Sequence, residues 1–327
     1  TLKYVLLGGV ASAMLLYGLS LIYGVSGSTQ YAEISAALSA SDGSMDMALV
    51  LGLVLILGGL GFKASAVPFH MWTPDAYEGA PIPVTAYLSA TSKAATFALI
   101  MRWFAGPLLP VQEHWQWIVS TLAVLTMVVG NLVALQQSNL KRLLAYSSIA
   151  QVGYMLMAVA GMSNETASAL LVHLGGYLAT NLVVFTAIIH FYNRTGKEGI
   201  ADLKGLAETN PYLALVLTAG LFSLAGMPLL VGFFTKFILF QAVVEADLLW
   251  LVVIGVVAST VSLYYYLMVI NQMYLYEPEG DASRWRMSAT GYITTGLLLG
   301  TVVLLGFWGT PLYRVSHEAA LALFAAG

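Results

Sequence analysis

Three lysines, Lys63, Lys93 and Lys236, lie inside long apolar stretches of the sequence. An ammonium at the bilayer centre costs about 2.5–3.5 kcal/mol on insertion scales, so membrane segments that keep one generally use it. A buried amine gains or loses a proton as its counter-charge or hydration changes, which is what a proton relay requires. Polar residues recur at helical spacing around these lysines. Thr85, Ser89, Ser92 and Thr96 form a hydroxyl stripe on the side of the helix that bears Lys93. His173, Tyr177, Thr180 and Asn181 share a second face, Ser147, Gln151 and Tyr154 a third, and Ser259, Ser262 and Tyr266 a fourth. Such stripes also serve plain helix–helix hydrogen bonding. Beside buried lysines they predict a hydrated axis, with Lys63, Lys93 and Lys236 transferring protons and Ser89, Thr96, Ser147, Tyr177 and His173 supporting the path.

The elements that must position these groups are membrane helices. The 327 residues are 59% hydrophobic and only 9% charged, against about 25% charged in a soluble domain, and the mean hydropathy is +0.82. The expected fold is an all-α polytopic membrane protein. Nine spans are predicted, at about 3–24, 47–80, 82–104, 115–135, 142–161, 166–190, 211–243, 248–275 and 289–312. Two of them, 47–80 and 211–243, would each run about 50 Å as single helices, too long for a hydrocarbon core of about 30 Å. Each contains a proline among small residues, Pro68 and Pro228, where the ring removes an intrahelical bond and clashes with the preceding turn. Both are therefore predicted to be broken helices. Paired interruptions of this kind point to inverted repeats around a midplane site. The echo of Leu7-Gly8-Gly9 in Leu174-Gly175-Gly176 is a weaker sign of the same repeat. The whole chain reads as one transmembrane domain, with an incomplete first repeat over 1–110, a second repeat over 111–276 and a final helix over 287–315.

Basic residues set the orientation. Lys3, Lys141, Arg142, Arg194, Lys197, Lys204, Arg284 and Arg286 fall at alternate span ends. The opposite ends hold Arg102 and Arg314, and the interval 25–46 has Glu33, Asp42 and Asp46 but no base. The N-terminus is placed inside and the C-terminus outside. Lys141-Arg142 reads as a topology anchor rather than a catalytic pair, and His70, Asp75 and Glu78 as solvated turn or cap residues, with a proton mouth as the alternative. A net charge of −3 without a basic patch argues against nucleic-acid binding. With no cysteine there is no thiolate-held iron–sulfur cluster and no disulfide. No phosphate loop, zinc-ligand spacing or Ser/His/Asp arrangement stands out, so neither redox chemistry nor nucleotide hydrolysis is expected of the chain alone. The opening Thr1-Leu2-Lys3-Tyr4 runs straight into an apolar helix, which predicts a preceding segment not included in this sequence.

The stretch Gly61-Phe62-Lys63, with Pro68-Phe69-His70-Met71-Trp72-Thr73-Pro74-Asp75-Ala76-Tyr77-Glu78-Gly79 after it, resembles the antiporter-like membrane subunits of respiratory complex I. So do Ser92-Lys93-Ala94-Ala95, Lys141-Arg142-Leu143-Leu144-Ala145-Tyr146-Ser147-Ser148, Gly226-Met227-Pro228, Gly232-Phe233-Phe234-Thr235-Lys236 and Ser262-Leu263-Tyr264-Tyr265-Tyr266. The Trp-Thr-Pro-Asp wording and the lysines at 93 and 236 resemble the N-type branch more than its sisters. The resemblance implies a fold of fourteen helices in two inverted five-helix repeats, of which this chain carries about nine. It implies a proton-translocating NADH:quinone oxidoreductase, with Lys93 passing protons between a Lys63 and a Lys236 half-channel and a glutamate on an earlier helix pairing Lys63. FMN, iron–sulfur clusters and quinone are expected in partner subunits and none in this chain, with the K-type small subunit and an M-type subunit as neighbours. The expected location is the bacterial inner membrane, or a thylakoid membrane. Gln151 and His173 depart from the family pattern, where His and an aromatic are common. A Mrp-type cation/proton antiporter and a purely structural scaffold are the alternatives.

Overall fold

The computed structural model describes residues 2–40, 47–278 and 283–325. Asp42 and Asp46, two of the acids used above for orientation, lie outside the described residues. Among the described residues the only regular elements are helices, joined by turns and loops, with one isolated bridge between Asn139 and Gly199. In order they form α1 (Leu2–Ser26), α2 (Tyr31–Ala40), α3 (Met47–Ala64), α4 (Trp72–Gly79), α5 (Ile82–Phe104), α6 (Gln112–Ala134) and α7 (Leu140–Ala160). Then follow α8 (Asn164–Thr195), α9 (Leu206–Thr209), α10 (Pro211–Ala225), α11 (Val231–Glu245), α12 (Leu249–Leu275), α13 (Ala289–Phe307) and α14 (Thr310–Ala325). Among the described residues, seven helices are long and apolar enough to cross a membrane by length and composition.

Both overlong spans are broken where the prolines predict. The first chain break in helicity runs from Ser65, at φ +70°, to Met71, and the second from Gly226, at φ +90°, to Leu230. Two short helices were not foreseen. The interval 25–46, left outside the predicted spans, contains α2, and the final predicted helix is followed by a separate α14 that packs on α8.

Small residues decide how closely the helices approach, because apolar side chains gain little from leaving lipid. Along the α1–α3 seam a Cβ on Gly59 would lie 2.7 Å from the Leu15 Cβ and 2.9 Å from the Ala11 carbonyl oxygen. Gly59→Val is therefore expected to push α1 off α3 and to lower stability by about 1–3 kcal/mol, read as a drop in thermal midpoint of the purified protein in detergent. Gly130 and Gly153 do the same between α6 and α7, where added methyls would meet the backbones of Ala150 and Met127 at 2.7 Å. Almost every residue of α7 is buried, which makes it the bundle's central post. Beside it stands α8, whose 32 residues extend about 48 Å. A capping box at Ser163 and Thr166 starts α8, and Gly196 in the left-handed region ends it.

The basic end is tied together by ions. Arg142 of α7 reaches Asp75 at 2.9 Å and Glu78 at 2.7 Å, and Lys3 of α1 pairs with Asp75 as well. Asp75 and Glu78, read from sequence as solvated caps, thus pin α4 to α7 and α1. Lys3, Arg142, Asp75 and Glu78 share one end of the bundle, as the charge bias requires.

Candidate functional site: two buried lysines on a polar seam

Lys93 is 1% exposed. Among the described residues its amine hydrogen-bonds to Ser148 alone, donating to the carbonyl oxygen at 2.9 Å and to the hydroxyl. Two further hydroxyls converge on the same serine: Tyr177 donates to Ser148 Oγ at 2.9 Å, and Tyr77 lies 3.4 Å from it. Four helices, α4, α5, α7 and α8, thus contribute one polar group each to a single node. From there Asn181 donates to the Tyr177 carbonyl at 2.8 Å, and Ser89 reaches Asn181 Oδ1 at 3.5 Å.

Lys236 is 5% exposed and is held by the second break. When α10 stops at Ala225, its last carbonyls lose their intrahelical donors and carry the helix's negative end. Lys236 donates to the carbonyls of Leu224 and Ala225 at 2.9 and 3.1 Å, and to Ser259 Oγ at 3.0 Å. An ammonium has three N–H donors, so every one is satisfied and none faces a carboxylate. The amine also lies 4.9 Å from the centre of the Tyr154 ring, within the range of a cation–π contact. Gly226 makes the grip possible: besides its positive φ, a Cβ there would sit 3.1 Å from Lys236 Cδ.

Between the lysines lies a polar seam. Gln151 donates to the Leu224 carbonyl at 3.1 Å, and His173 Nδ1 lies 3.1 Å from Thr235 Oγ1. Thr180 and Ser223 hydroxyls meet at 2.8 Å. Gln151 Oε1 and His173 Nε2 are buried with no hydrogen-bond partner. Both residues border a cavity of about 10 Å³ that also touches Tyr177 and Lys236, room for about one water molecule. Ser148, missed from sequence, and Ser259, there placed only on a polar stripe, are direct partners of the amines. Ser148 had a signal, since it neighbours Ser147 in a helix already singled out.

Other sequence-selected residues stand differently. Ser147 pairs with the Tyr266 hydroxyl, away from both amines. Thr96 turns its hydroxyl to the Ser92 carbonyl of its own helix at 2.8 Å. Lys63 requires a correction, because it is exposed and not buried. It falls at the edge of the α1–α3 seam, where its amine lies 5.6 Å from the centre of the Tyr4 ring. The carbonyl of Phe62 is taken by Trp72 Nε1 at 2.8 Å, so the first break does not grip its lysine as the second does. Among the described residues no hydrogen bond joins Lys63 to the Lys93–Ser148 node.

Residues 1–262 match the sequence pattern of the family described as NADH:quinone oxidoreductase/Mrp antiporter, transmembrane. The chain is 44% identical to NADH-quinone oxidoreductase subunit N of Moorella thermoacetica over 99% of this chain and 67% of that protein. With NAD(P)H-quinone oxidoreductase subunit 2 of Picosynechococcus it shares 43% identity over 97% of this chain and 62% of the relative. It thus spans about two thirds of the length of the curated relatives it matches. Among solved structures, a chain of respiratory complex I from Thermus thermophilus superposes with a TM-score of 0.79 at 33% identity, covering 96% of this chain and 67% of that one. A chain of the Mrp complex from Dietzia gives 0.88 at 26% identity, covering 98% and 67%. Two lysines gripped by carbonyls and serines, two broken helices and this set of relatives agree: the chain belongs to the NADH:quinone oxidoreductase/Mrp antiporter transmembrane family, among relatives named as N-type subunits.

Proposed function

We propose that this chain conducts protons across the membrane as an N-type subunit of a proton-translocating NADH:quinone oxidoreductase. The observation that carries the reading is the pair Lys93 and Lys236, both buried without a counter-anion and linked by Ser148, Tyr177, Gln151 and His173. An amine held only by neutral dipoles can hand its proton on without breaking an ion pair. Lys93 passes protons to Lys236 along this seam, and quinone reduction in partner subunits drives the transfer. Those partners carry the FMN, iron–sulfur clusters and quinone, and include K-type and M-type membrane neighbours. The uncovered amine of Lys63 is where the family's glutamate partner would sit and feed charge changes into the chain. The host is a bacterial inner membrane, with a thylakoid membrane as the alternative that relatives such as the Picosynechococcus subunit 2 support. In an assembled complex in inside-out vesicles, Lys93→Met is expected to collapse proton pumping while the complex still assembles. Full pumping in that variant would end the proposal.

A cation/proton antiporter is the second reading, favoured by the backbone match to the Mrp chain. Sodium-dependent exchange by this chain without redox partners would select it.

A further inference from the structure

Lys236 sits among neutral groups. Among the described residues no carboxylate pairs with it, and the nearest acid along α11, Glu245, lies nine residues away, about 14 Å of helix. Two peptide oxygens and one serine hydroxyl take its N–H groups. A fourth neighbour is the ring of Tyr154, whose centre lies 4.9 Å from the amine.

That ring is held firmly. Tyr154 is fully buried and belongs to α7, the central post of the bundle. Its ring also meets Phe240 edge-on, with centroids 6.1 Å apart and planes at 63°. Phe240 follows Lys236 by four residues, one turn along the same face of α11. A single ring of α7 is thus set against a cation and an aromatic neighbour of α11, and packing fixes where it lies.

Packing accounts for an apolar side chain at this position but not for an aromatic face beside the amine. A buried ammonium is costly unless something of opposite sign meets it. A carboxylate would meet it, yet once the lysine gave up its proton that anion would be left buried and alone. An aromatic face attracts a cation through its quadrupole, most strongly where water is excluded. It carries no net charge, so nothing is stranded when the proton goes.

We propose that Tyr154 is the positioning residue of Lys236: its ring face stands in for a counter-anion, holding the ammonium in the grip of the second break while leaving the amine free to release its proton. The inference rests on the proton-conducting reading above and adds one residue to it.

The electron density of a ring can be changed with little change in its shape, which separates this role from packing. Phenylalanine, and phenylalanine carrying one or three ring fluorines, are introduced at position 154 of the assembled complex, the fluorinated ones by stop-codon suppression. Fluorine draws density from the ring face, and the single fluorine of the first derivative takes the place of the hydroxyl. Tyr154→Leu removes the ring. Proton pumping is read with a pH-sensitive dye in inside-out vesicles, and assembly on a native gel. Relative to Tyr154→Phe, pumping should fall stepwise with fluorine number and be lowest in Tyr154→Leu, by up to about thirtyfold, the worth of a desolvated cation–π contact. Assembly should be the same across the fluorine series. If the trifluorinated form does not assemble, the comparison of one fluorine with none decides. Equal pumping across the series overturns the proposal. So does a Tyr154→Phe that pumps no better than Tyr154→Leu, which would assign the role to the hydroxyl. If Lys236→Met pumps normally, the conducting reading falls and this one with it. If Lys236→Met stops pumping while the fluorine series is flat, only the role of the ring is wrong.

Discussion

Lys236→Met is expected to stop proton pumping while the protein still folds and assembles. A positioned proton-transfer group contributes about 10²–10⁴-fold to its step, so losing even the lower figure leaves no useful conduction. The reason to expect normal assembly is in the contacts. With the amine gone, the Leu224 carbonyl still accepts from Gln151 Nε2 at 3.1 Å, and the Ala225 carbonyl still accepts from Ser259 Oγ at 3.2 Å. Methionine fills much the same volume and puts an apolar chain where an unpaired ammonium stood, an exchange that is often neutral or stabilising for buried charge. Assembly by native gel and pumping by a pH-sensitive dye in vesicles check the two halves separately. The scaffold reading expects the reverse, weaker assembly with normal pumping in whatever complex forms.

The largest structural effect is expected at the second break. A methyl on Gly232 would overlap the Ser223 carbonyl group, which belongs to the backbone of α10 and cannot step aside. The Gly232 amide also donates to Ser223 Oγ at 3.1 Å, so α11 starts in contact with the helix it follows. Gly232→Ala should cost at least about 3 kcal/mol, at or beyond the upper end of ordinary overpacking, and leave little folded subunit in the membrane. Gly300→Ala on α13 is the matched control. Its Cβ would enter open space, and alanine is the better helix former by about 0.5–1 kcal/mol. Comparing the amounts of each variant in membrane extracts, and their thermal midpoints, decides the matter. Equal behaviour would mean that the close approach at Ser223 is not a constraint.

Much of this was legible from the sequence, and the reasons are specific. Lys93 and Lys236 stood out because apolar surroundings make an ammonium conspicuous, and both are buried. Pro68 and Pro228 located the breaks because the spans around them exceed what a bilayer accommodates. Lys63 satisfied the same rule, yet its surroundings depend on which helix reaches it, and α1 brings the Tyr4 ring to one side of an exposed amine. Lys141 shows what a span-end pattern leaves out, since its amine is buried against Glu198 at 2.8 Å. Next to Arg142 at a span end it follows the pattern of an anchor, and only the fold brings Glu198 from beyond α8 to meet it. The stripe on α5 was correct in its face but not in every bond. Thr96 turned back to its own helix, which hydroxyls in helices commonly do. The short α2 and the amphipathic α14 fell below the apolar length by which spans were chosen.

The serines beside the two lysines have a consequence for direction. Around Lys236 two of the three acceptors are peptide oxygens, which never donate; Ser259 is the one neighbour able to turn its hydrogen around. When the ammonium becomes a neutral amine, its new lone pair can be met only from that side. Ser148 occupies the same position for Lys93, since it supplies both a fixed carbonyl and a hydroxyl that swivels. Each amine therefore has one reversible neighbour, and a proton's departure is registered by the rotation of a single O–H bond, on α7 for one lysine and on α12 for the other.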